Sequence, residues 1–374
     1  MTPSRPIRVL FALAGLHRVR RGAEIAFESV AAHLACIDGF QVTLIGSGQP
    51  RANDPYRFIH APCRPRERFE RWPRLPLFRD HYVYEEASFL PGLWRAFRPA
   101  DFDATITCSY PFTNWLLRAP RPAPRHLFVT QNGDWPARER RREYRFFGCD
   151  DLICTNPEYV AANRDRWRCT LIPNGVDPDR FAAATPDRAA LDLPQHAPVA
   201  IIVAALIPSK RVLEGIRAVA TIPDLHLLVV GDGELRAQAD SLGHELLGQR
   251  YRRTTLPFEH MPMAYASADL LIHLSTDEPF GNVYVEALAA GLPVVAHDRP
   301  TTRWMLGDGN RLAVLADTND AAAAASAVRA ALTLRSPALA RERRDWVASR
   351  FAWSTIARQY ADLLSTGRAR APAA

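Results

Sequence analysis

The feature that most constrains this chain is a repeated pattern. A short, almost wholly apolar run ends in a Gly or Ser turn, a stretch of helical periodicity follows, and then another apolar run begins. "IRVLFALAG" (7–15) leads through the helical pattern of 22–39 to "FQVTLIGSG" (40–48). Runs without polar alternation are strands covered on both faces, and a parallel sheet needs helical crossovers to cover it. "DATITCSY" (103–110), "RHLFVTQNG" (125–133), "DDLICTN" (150–156) and "CTLIPNGVD" (169–177) continue the series, with a helix predicted at "PEYVAANRDRW". Residues 50–100 are rich in Pro and Arg and read as an elaborated loop and helix region. Residues 178–196, rich in Asp, Pro and Ala, read as a linker. The pattern then restarts with strands at 197–207, 225–233, 268–275, 292–298 and 311–317, and with helices between them. Two α/β halves follow, over residues 1–180 and 181–350. In open parallel sheets ligands sit beyond the carboxyl ends of the strands. The Gly-rich turns fall at those ends, so two such halves facing each other would make one cleft.

At 374 residues the chain fits two domains. It is 48% hydrophobic and 23% charged, in the range of ordinary soluble globular proteins. No run approaches 18 consecutive apolar residues, so no membrane span is expected. The N-terminus reads as a first buried strand and not as a signal peptide. The six cysteines (36, 63, 108, 149, 154, 169) have no metal-ligand spacing. Reduced thiols and a cytoplasmic location are expected, with no metal. Residues 1–180 hold 27 basic and 20 acidic residues, whereas 181–374 hold 20 of each. The excess lies in clusters such as "RPRERFERWPR" (64–74) and "RERRREYR" (138–145). A solvated surface, a face for an anionic acceptor and peripheral contact with an anionic inner-membrane surface all fit it. No zinc-finger spacing, aromatic RNA-binding motif or lysine-rich tract is present, so no nucleic-acid partner is expected.

Two stretches carry chemistry. "LIPSKRVLEG" (206–215) holds the only lysine, Lys210; the other 46 basic residues are arginine. Codon bias explains that, and so does a need for a compact charge on a flexible stem. In "STDEPFGNVYVEALAAGLPVVAHD" (275–298), Glu278 and Glu286 are separated by seven residues. Glu278 falls in the loop after a strand and Glu286 about one turn into the next helix. The helix start at Gly281, Asn282 and Val283 offers free amides and a positive dipole end, which suit a phosphate. A carboxylate on each side suits hydroxyl pairs, such as those of a ribose or a pyranose.

This stretch resembles the paired-glutamate signature of the retaining GT-B glycosyltransferases of family 4, the glycosyl transferases group 1, and the resemblance covers essentially the whole chain. "GAE" (22–24) is similar to the family's N-terminal glycine loop and "LIPNGVD" (171–177) to its passage between domains. "VVGDGELR" (229–236) resembles its donor-side glycine turn, and "FAWSTIARQYADLL" (351–364) its terminal helix, which packs back on the first domain. The fold implied is α/β, with two Rossmann-like domains facing across a cleft. The first would bind the acceptor and the second a nucleotide diphosphate sugar, UDP- or GDP-linked. The resemblance implies roles by position. Glu286 would hold the donor ribose, and Glu278 a hydroxyl of the transferred sugar. The amides of Gly281, Asn282 and Val283 would meet the sugar and pyrophosphate. Lys210, with Arg211 beside it, would stabilise the departing diphosphate, and Gly22 would line the phosphate side. Asn174 and Gly175 would line the cleft, and base contacts would fall near Gly231, Gly233 and Pro257. The implied reaction is transfer to a hydroxyl of a glycan, lipid-linked intermediate or small molecule, with retention at the anomeric carbon and without cofactor or metal.

There are departures from the family. The arginine that usually precedes the lysine is replaced by Ala204–Ala205, and the histidine near the reacting carbon by "VTQNGDWP", so Gln131, Asn132 or Asp134 stands there. These keep open a catalytically impaired glycan-binding or scaffolding relative. A GT-B epimerase or phosphorylase would lack the paired glutamates. A NAD-dependent enzyme would need G-x-G-x-x-G after the first strand, where "GLHRVRRGAE" stands. His17, Arg18, His297 and Asp298 are further candidates for ligand contact, with structural roles as the alternative. His126 reads as structural, and Trp72, Trp94 and Trp115 as core aromatics, with stacking on an acceptor as the alternative.

Overall fold

The apolar runs of the first half become the strands of one parallel sheet. The computed structural model describes residues 5–131, 146–307 and 311–368. In chain order the first half contains β1 (Ile7–Ala12), α1 (Gly22–Ala35), β2 (Phe40–Gly46), β3 (Arg57–His60), α2 (His81–Ala96), β4 (Ala104–Thr107), α3 (Phe112–Arg118), β5 (Arg125–Val129), β6 (Asp151–Cys154), α4 (Pro157–Asn163) and β7 (Cys169–Leu171). The sheet order is β3-β2-β1-β4-β5-β6-β7. β1 lies between β2 and β4, and its residues Val9 to Ala12 are fully buried, which explains its lack of alternation. The chain builds the sheet outward from β1 in one direction and then restarts at β4 in the other. The carboxyl ends of β1 and β4 therefore part at a topological switch point.

The second half repeats the plan. It contains α5 (Pro178–Ala182), β8 (Val199–Val203), α6 (Val212–Ala220), β9 (His226–Val230), α7 (Arg236–Leu247), β10 (Tyr251–Thr254), α8 (Met261–Ala266), β11 (Leu270–His273), α9 (Asn282–Ala290), β12 (Val294–His297), α10 (Pro300–Leu306), β13 (Ala313–Ala316), α11 (Ala321–Thr333) and α12 (Pro337–Phe351). Its parallel sheet runs β10-β9-β8-β11-β12-β13, so the switch point lies between β8 and β11. The last helix, α13 (Trp353–Arg368), belongs to the first unit. Its Trp353, Ile356, Tyr360 and Leu364 join the core built by Phe11, Phe27 and Val30. By compactness the units are Met1–Asn174 with Trp353–Ala374, and Gly175–Ala352.

Two expectations change. Residues 178–196 are not a linker. Phe181, Leu191 and Leu193 are buried in the core of the second unit, and Arg188 donates to the Ser267 carbonyl at 3.0 Å and to Asp269 at 2.8 Å. Three apolar anchors in a Pro- and Asp-rich segment are too sparse to show a period. Residues 50–100 hold the expected helix, α2, but also a strand, β3, that the irregular pattern hides. Among the described residues no helix is long and apolar enough to cross a membrane.

Candidate active site

The switch point of the second sheet brings together residues 68 positions apart. Lys210 closes the short turn Pro208–Lys210 that follows β8, and Glu278 lies in the loop after β11. Lys210 Nζ donates to Glu278 Oε2 at 2.5 Å. His273, the last residue of β11, lies 3.2 Å from the same oxygen through Nε2. The Glu278 side chain is only 14% exposed. Burial opposes its ionisation, but the hydrogen bond and charge of His273 and the Lys210 ammonium outweigh it and hold the carboxyl down at about 2.

α9 starts immediately beyond this pair. Gly281 precedes it with φ 82°, and no side chain caps the helix. Only glycine fits there: a Cβ would lie 2.6 Å from the Tyr284 ring and 2.9 Å from Glu278 Cγ. Asn282 and Val283 form the first turn, both half-buried. Glu286, one turn on, accepts a 2.8 Å bond from the Tyr265 hydroxyl, and burial pushes its carboxyl up. Sequence reasoning missed the support around this site. The Tyr284 ring meets His273 edge-on at 5.2 Å. His273 Nδ1, Ser275 Oγ and Tyr284 Oη are buried with no hydrogen-bond partner among the described residues. A histidine ending an otherwise apolar strand was the available signal for His273. Nothing in the pattern marks Ser275 or Tyr284.

The structure disperses some of the other candidates. Arg211 follows Lys210 but turns elsewhere, donating to Asn319 Oδ1 at 2.7 Å and to the Thr318 carbonyl at 2.8 Å. His297 Nδ1 accepts from the Thr318 N–H at 3.2 Å, so Arg211 and His297 grip the same turn after β13. Asp298 pairs with Arg303. Gly231 and Gly233 form the turn after β9, packed on the turn after β8. A Cβ on Gly231 would sit 1.9 Å from the Ala204 carbonyl oxygen. Pro257 is exposed and precedes the short turn Phe258–His260.

In the first unit, Gly22 opens α1 and is exposed. Gln131 and Asn174 pair amide to amide, with Asn174 Nδ2 donating to Gln131 Oε1 at 3.0 Å. Asn132 and Asp134 lie outside the described residues, as does the cluster 138–145. His17 is stacked on Phe58, with ring centroids 4.0 Å apart, and its ring nitrogens meet the Gln49 carbonyl and the Tyr56 hydroxyl. It is a packing residue. Arg18 pairs with Glu85. His126 is buried against Thr105 and Asn114, and burial lowers its pKa to about 3. Of the tryptophans, Trp115 is half-buried among aromatics, but Trp72 and Trp94 are exposed, contrary to the core reading. Trp94 lies on α2, and Trp72 lies in the loop before α2, where its ring meets Phe69 and Tyr84 at 5.0 and 5.2 Å.

Two doubly wound sheets, the second carrying this site at its switch point, match solved structures of the GT-B class. Sucrose-phosphate synthase from Thermosynechococcus elongatus superposes with a TM-score of 0.75 at 22% identity, over 98% of this chain and 100% of that one. HepE from Anabaena, solved in complex with UDP-glucose, superposes at 0.69 with 18% identity, over 96% and 100%. Residues 184–349 match the glycosyl transferases group 1 and residues 20–180 match glycosyltransferase family 4. The lipopolysaccharide core biosynthesis glycosyltransferase LpsD of Rhizobium meliloti is 30% identical over 68% of this chain and 75% of its own. The chain belongs to the group 1 glycosyltransferases of GT-B fold.

Proposed function

We propose that this glycosyltransferase moves a sugar from a UDP- or GDP-linked donor to a hydroxyl on a glycan, lipid-linked intermediate or small molecule. The anomeric configuration is retained and no metal takes part. The observation that carries the reading is the Lys210–Glu278 contact beside the uncapped start of α9. The presence of UDP-glucose in HepE, of the same fold, is consistent with such a donor.

A departing nucleoside diphosphate gains negative charge as the C–O bond breaks through an oxocarbenium-like transition state. The Lys210 ammonium and the first amides of α9 are positive groups fixed at one sheet edge, and such preorganised charge lowers the barrier. A diphosphate offers Lys210 more charge than one carboxylate does. Donor binding then draws the ammonium to phosphate and leaves Glu278 with His273, ionised and ready to accept from a sugar hydroxyl. Glu286, oriented by Tyr265, accepts from the ribose hydroxyls. With Gln131, Asn132 or Asp134 in place of a histidine, the departing phosphate takes the acceptor's proton, and attack on that same face gives retention.

The test is a thermal-shift panel of UDP-, GDP-, ADP- and dTDP-sugars, followed by proton NMR of the product. A ligand that binds only the folded state raises the melting temperature. A rise with a UDP- or GDP-sugar, a product of unchanged anomeric configuration and turnover unaffected by EDTA are expected. No shift with any donor at millimolar concentration, an inverted product or loss of turnover on chelation would overturn the corresponding part.

A further inference from the structure

Glu278 is held by more than the lysine. His273 ends β11, whose other residues, Leu270, Leu271 and Ile272, are apolar and fully buried. The His273 side chain is itself only 3% exposed. An imidazole in such a place costs desolvation that a leucine would not. Its ring finds one hydrogen-bond partner among the described residues, Glu278 Oε2 at 3.2 Å from Nε2, and Nδ1 has none. A neutral imidazole carries its proton on one nitrogen only. On Nδ1 the proton would be stranded in the core, and the bare Nε2 would face a carboxylate oxygen. On Nε2 it makes a charge-assisted bond. The surroundings therefore select the Nε2–H tautomer.

The two donors to Glu278 reach the same atom. Lys210 Nζ and His273 Nε2 both meet Oε2, and no hydrogen bond among the described residues falls on Oε1. The rest of the loop is tied down separately. Arg299 Nη1 donates to the Thr276 carbonyl at 3.1 Å and lies 3.7 Å from Asp277 Oδ1. Gly281 fits between the Tyr284 ring and the Glu278 stem, and the same ring stands edge-on to His273 at 5.2 Å. With backbone and stem fixed, what remains is rotation of the Glu278 carboxylate. A donor held on one oxygen stops that rotation and leaves the other oxygen in a set direction.

We infer that His273, carrying its proton on Nε2, is a positioning residue: it anchors Oε2 of Glu278 so that Oε1 presents to a hydroxyl of the transferred sugar after Lys210 moves to the diphosphate. The sugar's part in this rests on the donor reading proposed above; the tautomer is testable without a donor. His273 is buried and acts only through Glu278.

The experiment has two arms. In the first, the full chain is labelled with nitrogen-15 histidine, and proton–nitrogen correlation spectra of the rings are recorded at pH 8. His273 should show a protonated Nε2 and a bare Nδ1. Its signals are identified by their loss in His273→Gln or, if that variant does not fold, by contacts of its ring protons with the Tyr284 ring. A proton on Nδ1 alone overturns the inference. In the second arm, turnover is read as nucleotide release from the UDP- or GDP-sugar that raises the melting temperature. Glutamine places its amide N–H where Nε2 lies, and asparagine places it where Nδ1 lies. His273→Asn should lose turnover by about tenfold or more, as for a hydrogen bond to a charged group. Its KM for the donor and its affinity for the free nucleotide should stay within about threefold of wild type, since neither depends on the aim of Glu278. His273→Gln should restore most of the turnover. Wild-type turnover in His273→Asn, or equal loss in both variants, overturns the positioning role. So does a fall in nucleotide affinity as large as the fall in turnover, which would mark a general distortion. Failure of every nucleotide sugar to bind, with the Nε2–H ring in place, would fault the donor reading and leave the His273–Glu278 bond standing.

Discussion

Lys210, Glu278 and His273 show how single residues set chemistry here. Glu278 is held at about 2, so it stays ionised throughout the neutral range. Its contribution to stability is present above its ordinary value and is lost only as pH falls through about 2. Lys210→Ala leaves Glu278 its His273 partner, so the fold should survive while turnover falls by about a hundredfold or more, as when one fixed electrostatic stabiliser is removed. Steady-state kinetics with a matched circular dichroism spectrum checks this, and near-normal turnover would remove Lys210 from the reaction. Glu86 on α2 makes the opposite case. It is fully buried, accepts from the Thr113 N–H at 2.8 Å, and has no partner for its other oxygen among the described residues. Burial pushes it up to about 7 against the hydrogen bonds that favour ionisation. The unfolded chain then loses this proton first, so stability falls as pH rises from about 4.5 to 7. Glu86→Gln should flatten that slope and stabilise the protein at pH 8 by on the order of 3 kcal/mol. Melting temperatures from pH 5 to 8 decide it, and parallel curves for both proteins would refute it.

At the level of elements, α9 was legible because its glycine start and its position after an apolar run both leave marks in sequence. The short helices α5 and α8 and the long α12 were not. α12 reads "PALARERRDWVASRF", with too many charges to show an apolar face, yet it buries Arg343 completely. That guanidinium donates to the carbonyls of Leu312, Gly291, Arg311 and Leu334, at 3.0 to 3.1 Å. It ties α12 to the ends of α9 and α11 and to the start of β13. Burial brings its pKa down to about 10, so it stays charged at neutral pH. Arg343→Met fills the space but strands four buried carbonyls. A loss of about 3 kcal/mol or more is expected from removing one partner of a buried charged network. Urea denaturation measures it, and an unchanged midpoint would show that the network is dispensable.

For the molecule as a whole, the chain order is not the order of the units. α13 follows the entire second unit in sequence, yet it packs on α1 and completes the first core. Arg125 also donates to the Leu363 carbonyl at 2.8 Å. Deleting residues 353–374 uncovers Phe11 and Phe27 and should unfold or aggregate the first unit. Limited proteolysis should show cleavage of residues 5–131 rise steeply, and wild-type resistance would refute this. The amino-acid sequence by itself determined the strand-rich α/β class, the restart in mid-chain and the paired glutamates, because these depend on local periodicity and spacing. Only tertiary structure decided that Lys210 meets Glu278 while Arg211 turns away, and that His273 joins them. Those meetings follow from strand order. Where a sheet reverses its winding, segments far apart in sequence end at one edge, and no local pattern records which side chains face each other there.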